Sequence, residues 1–402
     1  MQPLRRRTAL AGAASAWTVA AFAGRPVRAE QTVALPFGNG VRPLATYPQK
    51  RPMLLLTARP PQLETSFAVF DEQAITPNDA FFVRYHLADI PFAELHAASW
   101  RLRIGGAVRT PLDLGLADLK AMPSRDLVAV NQCSGNSRGF FMPRVAGGQA
   151  GNGLMGCARW TGVPLAALLD RAGIAPGAVE VRFDGADGPV FPETPDFAKA
   201  LPLDLARNGD VMLAWAMNGT DLPILNGYPL RLVVPGYYGT YWMKHLTGIT
   251  VLEQPLANYW MQTAYRIPDN DCACVAPGTT PDRTRPIGRL NVRSFITNLA
   301  EGARVKAGPV ALRGIAFNGG AGIAAVKVSA DGGASWREAK LGEDQGRYAF
   351  RPWQAEVSLP QGEATLRVQA IGADNETQPD TPRWNPGGYM RNVIETTRVV
   401  AS

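Results

Sequence analysis

A proline- and glycine-rich break at residues 277–286 divides this chain into two stretches with different patterns. Beyond the break, residues 325–329 and 364–370 alternate apolar and polar side chains, which is typical of half-buried strands. An Asp-Gly-Gly sequence at 331–333 supplies a tight turn between them. Strands separated by such turns predict a β-sandwich. We therefore expect a linker at 277–286 and an all-β domain over 287–402.

Before the break, short apolar runs alternate with turns, and helical segments are few. The clearest helix covers 163–173, where Pro164 near the start and Gly173 at the end are the residues expected at those positions. We expect a first domain over 61–276, and we expect the proline- and arginine-rich residues 30–60 to form an extended arm over its surface. The runs that predict strands are 81–85, 100–104, 127–130, 179–183, 211–216 and 230–234.

The N-terminus has the pattern of an export signal. Three arginines at 5–7 precede an alanine-rich, uncharged run that reaches Ala23, and small residues surround Ala29. Adjacent arginines before a weakly apolar run favour the twin-arginine route, which exports folded proteins, and the general secretory route is the alternative. The sequence therefore predicts a signal peptide over 1–29 and a periplasmic protein.

The charge of the chain argues against a nucleic-acid partner. The whole chain carries +7, but residues 1–29 hold five arginines and no acidic residue, so the remainder carries about +2. A nucleic-acid-binding surface needs concentrated basic charge, which this remainder does not offer. Beyond the signal, no run of about 18 apolar residues predicts a membrane span.

One cysteine lies where it could bind a metal. Residues 126–130 predict a buried strand, so Cys133, in the loop Asn-Gln-Cys-Ser-Gly-Asn-Ser-Arg at 131–138, should emerge at a strand end. Arg138 adds a permanent cation nearby, and a cation favours the thiolate, which is the form that binds metals. A soft thiolate suits a transition metal better than magnesium or calcium. The alternative is that Cys133 is a small buried apolar residue.

The other cysteines, Cys157, Cys272 and Cys274, are interpreted as structural. Cys272 and Cys274 could bind a metal or form a strained link, but the three histidines offer no ligand-spaced pair to complete a metal site. The chain has no Cys-x-x-Cys-His motif, so we expect no covalent haem on it.

The loop at 131–138 resembles the molybdenum-binding loop of the sulfite oxidase family. The likeness continues in the family's order and covers nearly the whole exported chain, and within the family it is most similar to bacterial periplasmic sulfite dehydrogenases. The other blocks that carry it are Phe-Phe-Val-Arg-Tyr-His at 81–86, Tyr-Pro-Leu-Arg-Leu-Val-Val-Pro-Gly at 228–236, Tyr-Trp-Met-Lys-His at 241–245 and Trp-Asn-Pro-Gly-Gly-Tyr-Met-Arg at 384–391.

This resemblance implies an α+β protein, with a mixed α/β molybdopterin domain followed by an immunoglobulin-like domain that commonly mediates dimerisation. It implies that Cys133 binds molybdenum together with two dithiolene sulfurs of molybdopterin. No side chain can carry out the oxidation of sulfite to sulfate, so the cofactor would supply that chemistry. Because the chain has no haem motif, a separate c-type cytochrome is the expected electron acceptor, either as a stable haem subunit or as a transient docking partner.

Arginines are expected to bind sulfite, because a guanidinium holds an oxyanion through two parallel hydrogen bonds. By resemblance these are Arg84 and Arg138. Arg391 is expected to supply a third cation from the second domain, although other family members carry an arginine nearer the Trp-Asn pair, where this chain has Gly387.

The resemblance also places two aromatic residues at the site, Tyr265 and Trp260. Tyr265 would donate a hydrogen bond near the metal and steer protons, and Trp260 would exclude water. Asn226 stands where many relatives have histidine. The residues expected to hold the pterin and its phosphate are Tyr85, His86, Asp187, Asn226, Arg231 and Lys244.

Three other functions stay open from the sequence. A sulfane dehydrogenase subunit shares both domains but oxidises protein-bound sulfur with a haem partner. The methionine-sulfoxide-reductase branch usually lacks the all-β second domain. A non-catalytic binding or adhesion module would leave Cys133 inert, and the metal content would distinguish it from an enzyme.

Overall fold

Strands make up most of the protein, and the computed structural model describes residues 31–402. The part from Thr32 to Ser402 forms one compact unit. The signal peptide predicted over 1–29 lies outside the described residues. Between residues 31 and 402, no helix is long and apolar enough to cross a membrane.

The extended arm predicted over 30–60 is instead the first part of an antiparallel sheet. Three strands of this sheet fall within residues 30–60. They are held in place because Met53 packs with Leu63 and Tyr85 in a small separate core. Arg42 connects this sheet to a later part of the first domain, because its guanidinium donates to the Gln149 carbonyl over 2.9 Å. The strands, in their order across the sheet, are β1 (Thr32–Ala34), β2 (Val41–Ala45), β3 (Met53–Thr57), β4 (Gln62–Glu64) and β5 (Val83–Arg84).

The first domain continues with eleven more strands, most of them in two sheets. One sheet has the order β11-β10-β15-β6-β7, and the other has the order β13-β12-β9-β8 with β14 paired to β12. The strands are β6 (Arg101–Gly106), β7 (Leu112–Gly115), β8 (Arg125–Gln132), β9 (Met155–Pro164), β10 (Glu180–Gly185), β11 (Ala198–Pro202), β12 (Met212–Met217), β13 (Thr220–Asp221), β14 (Arg231–Val233), β15 (Leu246–Leu252) and β16 (Arg266–Pro268).

Helices in the described residues are short. The helix predicted over 163–173 is confirmed: it begins after Pro164, ends at Gly173, whose φ is 67°, and buries its leucine face. The α-helices are α1 (Val69–Glu72), α2 (Leu116–Lys120), α3 (Leu165–Ala172), α4 (Leu203–Ala206) and α5 (Tyr259–Gln262).

The second domain is the predicted all-β sandwich. One sheet has the order β18-β20-β24-β23, the other has the order β19-β26-β25-β21-β22, and apolar side chains from both fill one core. Part of the predicted linker is β17, which pairs with β16 of the first domain. The strands are β17 (Thr284–Pro286), β18 (Arg293–Ile296), β19 (Ala303–Val305), β20 (Gly308–Phe317), β21 (Ile323–Ser329), β22 (Arg337–Glu338), β23 (Lys340–Leu341), β24 (Arg351–Leu359), β25 (Gly362–Gly372) and β26 (Glu395–Ala401).

The second domain packs against the end of β8 that leads to Cys133. The Val130 N–H donates to the Tyr348 carbonyl over 2.9 Å, and the Met390 N–H donates to the Ser134 carbonyl over 2.9 Å. The second domain therefore contacts both the strand and the loop that position this cysteine.

Candidate active site

Cys133 follows β8 directly, so the predicted emergence of a thiol at a strand end is confirmed. Its backbone N–H donates to the Leu154 carbonyl over 2.9 Å, and its own carbonyl accepts from the Asn136 N–H over 3.0 Å. The Asn136 side chain in turn accepts from the Leu154 N–H. This loop is fixed at both sides of the cysteine, and Cys133 is a free thiol.

Cys133 faces a pocket that gathers most of the residues singled out from the sequence. Strand β5, the Cys133 loop, β14 and the segment before β15 all contribute to its wall. The predicted site residues that line it are Arg84, His86, Cys133, Asp187, Asn226, Arg231, Lys244 and Tyr265. Among the lining residues that the sequence did not single out are Asn131, Ser134, Phe197, Thr240 and Met243.

Tyr265 lies at the centre of a hydrogen-bonded group. Its hydroxyl oxygen is 2.5 Å from His86 Nε2 and accepts from Arg84 Nη2 over 3.3 Å. A guanidinium only donates, so the hydroxyl oxygen is the acceptor in the bond with Arg84. Burial, followed by the charge of Arg84, holds the pKa of His86 well below its usual range, so the imidazole beside the phenol is neutral.

The phenol of Tyr265 stays protonated. Burial raises its pKa above the ordinary tyrosine value, and the charges of Arg84 and Arg138 only partly oppose that rise. Its backbone has a φ of 57°, an uncommon conformation for a residue with a side chain. Such strain is typical of functional positions, where packing holds a side chain in a required place.

Two residues that the sequence did not single out pack on the Tyr265 ring. The Tyr389 ring stacks on it with a centroid distance of 5.3 Å. The Lys199 ammonium lies 5.5 Å from its centroid and donates to the Trp260 carbonyl. Lys199 interrupts an apolar run in the sequence, which was the available signal for it, and Tyr389 lies inside the block at 384–391.

Lys244 and Asp187 form the charged part of the pocket. Burial lowers the pKa of Lys244 and raises that of Asp187, and the opposite charge of each residue counteracts the effect on the other. Lys244 Nζ donates to the Arg84 carbonyl and lies 3.6 Å from the centroid of the Tyr85 ring. Tyr85 was expected to bind the pterin, but it does not line the pocket. Its ring instead packs against the Lys244 ammonium.

Asn226 lines the pocket with its side chain already engaged. Its Oδ1 accepts from Lys50 Nζ over 2.6 Å, and its Nδ2 donates to the Phe82 carbonyl over 3.1 Å. Arg231 Nη1 donates to the Asn226 carbonyl over 2.7 Å. Lys50 therefore fixes Asn226, and nothing in the local sequence around residue 50 indicated this contact.

The pocket offers polar atoms that suit a large polar cofactor. Four of its residues have a buried side-chain atom with no hydrogen-bond partner among the described residues: Asn131 Oδ1, Ser134 Oγ, Arg231 Nε and Thr240 Oγ1. Buried polar groups are nearly always paired in folded proteins, so such a cluster points to a bound partner. Together with the Cys133 thiol, these donors and acceptors fit a pterin held by hydrogen bonds and a metal held by sulfur.

Two of the remaining predicted residues lie beside the pocket. Arg138 Nε donates to the Gly387 carbonyl over 3.2 Å, and its guanidinium lies 5.1 Å from the centroid of the Tyr389 ring. The Trp260 ring contacts those of His86 and Tyr265 with centroid distances of 5.4 and 6.2 Å. Trp260 therefore contacts Tyr265 directly, whereas Arg138 contacts Tyr389, whose ring stacks on Tyr265.

Arg391 does not supply the expected third cation. Its guanidinium is paired with Glu395 over 2.9 Å and lies over the Phe140 ring, outside the lining of the pocket. The physical reason is that Glu395 is buried as the counter-charge of the fully buried Arg293 and also pairs with Arg391. The Arg391 guanidinium is therefore engaged in a buried cluster of three charges within the second domain.

The remaining cysteines are structural in different ways. Burial raises the pKa of Cys157 to about 12, which leaves it an inert thiol in the core. Cys272 and Cys274 form a disulfide, the link that the sequence left open. No cluster of three or more metal-binding side chains of the His, Cys, Asp and Glu types exists among residues 31–402.

Comparisons with known proteins agree with this site. Residues 88–260 match the family described as an oxidoreductase molybdopterin-binding domain, and residues 284–400 match the molybdenum-cofactor oxidoreductase dimerisation domain. The mitochondrial sulfite oxidase of Homo sapiens is 32% identical over 379 residues, covering 90% of this chain and 68% of that protein. The chain belongs to the sulfite oxidase family.

Another member of the sulfite oxidase family, from Gallus gallus, is 33% identical over 88% of this chain and 78% of its own length. Among solved structures, the sulfane dehydrogenase SoxCD from Paracoccus pantotrophus superposes with a TM-score of 0.74 at 27% identity, covering 85% of each chain. The α+β fold class and the molybdenum cofactor of the family are thereby confirmed for this chain, and the dimerisation domain supports a dimer.

Proposed function

We propose that this chain is a periplasmic sulfite dehydrogenase that oxidises sulfite to sulfate and passes electrons to a c-type cytochrome. The observation that carries the proposal is one pocket wall shared by the Cys133 thiol, the Arg84 guanidinium and the Tyr265 hydroxyl. The thiolate can bind the metal, the guanidinium can bind an oxyanion, and the phenol can donate a hydrogen bond. The names of the relatives, which are sulfite oxidases, support the same substrate.

The reaction converts sulfite and water into sulfate with the release of two protons and two electrons. When bound, the molybdenum cofactor would supply the oxygen-atom-transfer and two-electron chemistry that no side chain can provide. Cys133 would be the protein ligand of the metal, and Lys244, Asp187 and the unpaired buried atoms of Ser134 and Thr240 would hold the rest of the cofactor.

Arg84 and Tyr265 bind and orient the substrate. Arg84 is preoriented because Nη1 donates to the Tyr85 carbonyl while Nη2 donates to the Tyr265 hydroxyl. An oxyanion bound beside them would contact a guanidinium that is already oriented and does not have to reorganise. Such preorganisation is the main source of electrostatic stabilisation in enzymes. The neutral imidazole of His86 forms a hydrogen bond with the Tyr265 hydroxyl and so orients it, while the phenol keeps its own proton.

Sulfite turnover by the cofactor-loaded protein tests this proposal. We expect sulfite to reduce a c-type cytochrome with a stoichiometry of about two haems per sulfate formed, since each haem takes one electron. Formation of no sulfate by molybdenum-loaded protein would contradict the substrate, and formation of sulfate without cytochrome reduction would contradict the acceptor.

A sulfane dehydrogenase is the second candidate, because the solved structure that superposes on this chain over 85% of its length bears that name. Steady-state assays with sulfite and with thiosulfate, each on the same molybdenum-loaded preparation, distinguish the two functions. A higher kcat/KM for thiosulfate in the presence of a haem partner would favour the second candidate.

The periplasmic location rests on the predicted twin-arginine signal over 1–29. Replacement of the three arginines at 5–7 by lysine should retain the protein in the cytoplasm, as measured by cell fractionation. Unchanged export of that variant would favour the general secretory route.

A further inference from the structure

The residues from Trp384 to Arg391 bring the Tyr389 ring of the second domain against Tyr265, which lines the pocket. The Asn385 side chain binds the backbone of Tyr389 twice, through its carbonyl over 2.9 Å and its N–H over 3.0 Å. The next residue, Met390, donates to the Ser134 carbonyl beside Cys133. The position of Tyr389 is therefore set by both domains.

The glycines of this segment make room for the ring. A Cβ at Gly387 would overlap the Tyr389 ring, and a Cβ at Gly388, whose φ is 58°, would overlap the Val145 side chain. Gly388 therefore needs the conformational freedom that only glycine has. No side chain of any size fits at Gly387 while the Tyr389 ring stays in place.

Arg138 is held by this segment in two ways. Its Nε donates to the Gly387 carbonyl, and its guanidinium lies 5.1 Å from the centroid of the Tyr389 ring. That ring also stacks on the Tyr265 ring, at a centroid distance of 5.3 Å. Because Arg391 is neutralised by Glu395, Arg138 is the guanidinium that accompanies Arg84 at this side of the phenol.

We propose that Tyr389 is a specificity-determining residue that positions the Arg138 guanidinium beside Tyr265 for a small sulfur oxyanion. This inference rests on the proposed function. A cation over an aromatic face keeps its charge while its N–H groups stay free for hydrogen bonds to an anion. The ring thus fixes the direction of a flexible side chain and leaves its charge available to the substrate.

Tyr389 also lines a second cavity with Arg383, Asn392 and Met390. Replacement by leucine keeps an apolar side chain here and removes only the aromatic face, whereas replacement by alanine would leave a larger void. Tyr389→Leu is therefore the informative variant, and Tyr389→Phe is the conservative one that keeps the aromatic face.

The test is sulfate binding to the molybdenum-loaded protein, measured by isothermal titration calorimetry at low ionic strength. We expect Tyr389→Leu to weaken sulfate binding about tenfold and to raise the KM for sulfite similarly, with kcat little changed. Tyr389→Phe should restore most of the affinity. In an Arg138→Gln background, Tyr389→Leu should have no further effect, because both changes act on one interaction.

Phe140→Leu is the matched control, since it removes a similar cation–π pair, with Arg391, at a centroid distance of 5.2 Å and outside the pocket lining. We expect this variant to bind sulfate like the wild type. Equal weakening by Phe140→Leu, unchanged affinity in Tyr389→Leu, or additive losses in the double variant would each overturn the proposal. Sulfate binding that follows the expected pattern in a protein that does not oxidise sulfite would reject the proposed function alone.

Discussion

Arg138 and Arg391, the two arginines expected to assist Arg84 in binding sulfite, should respond differently to mutation. Arg138 lies beside the ring of Tyr389, which stacks on Tyr265, whereas Arg391 is paired with Glu395. Arg138→Gln should remove a charge-assisted hydrogen bond to the oxyanion, worth about 1.5–3 kcal/mol. At 1.4 kcal/mol per factor of ten, that loss raises the KM for sulfite by about 10- to 100-fold.

Arg391→Gln is the matched variant and should act on stability. The Arg391 and Glu395 side chains are 11% and 13% exposed, so their pair is largely buried. Breaking a buried pair costs about 3–5 kcal/mol when a charge is left alone, but Glu395 keeps Arg293 at 2.6 Å, so we expect about 2 kcal/mol. The KM for sulfite should stay within about twofold of the wild-type value.

Steady-state kinetics with sulfite and urea unfolding of the same preparations measure the two effects. The expected pattern is a KM effect without a large stability loss for Arg138→Gln, and the reverse for Arg391→Gln. An increase in KM for Arg391→Gln as large as that for Arg138→Gln would refute the placement of Arg391 outside the pocket.

Three other substitutions, two in the pocket and one at a buried carboxyl outside its lining, have measurable expected effects. Tyr265→Phe removes the hydroxyl that links Arg84 to His86 and should lower kcat/KM for sulfite about 10- to 100-fold with unchanged molybdenum content. Lys244→Met removes a buried cation of the pocket and should lower the molybdenum content of the purified protein, measured by elemental analysis. Burial raises the pKa of Glu64 from 4.5 to about 6. Because the folded value is the higher one, the carboxyl stabilises the fold below pH 4.5, and about 2 kcal/mol is lost as the pH rises past 6. Urea unfolding should therefore show a smaller loss of stability between pH 4.5 and pH 7 in Glu64→Gln than in the wild type.

Local patterns were sufficient to predict much of the fold. Helix α3 follows from Pro164, Gly173 and the leucine spacing, and the sandwich follows from alternating runs separated by turns. Residues 30–60 were harder, because proline and arginine suggest a loop, whereas the strands there are fixed by pairing with β4 and by burial of Met53. Pairing across the chain is decided by tertiary contacts that a local pattern does not contain.

The site divides in the same way. Cys133 and Arg84 lie at strand ends that the sequence marks, and the family resemblance indicated Tyr265 and Lys244. Arg391 was misleading because its partner, Glu395, is only four residues away in sequence, yet the need for that partner comes from the distant, buried Arg293.

Lys50 and Tyr389 act through contacts with residues more than 120 positions away, such as Asn226 and Tyr265. The side-chain chemistry of a lysine or a tyrosine does not reveal such a contact. Only the packed structure brings these residues to the pocket.

We expect the sulfur of Cys133 to bind the metal on which turnover depends, and metal analysis of the wild-type and Cys133→Ser proteins measures whether it does. We expect about one molybdenum per wild-type chain, an absorbance change on addition of sulfite, and loss of that change in Cys133→Ser with the fold intact by circular dichroism. A Cys133→Ser protein that keeps the sulfite-dependent absorbance change, or a wild-type protein isolated from a molybdenum-replete host without the metal, would contradict the account.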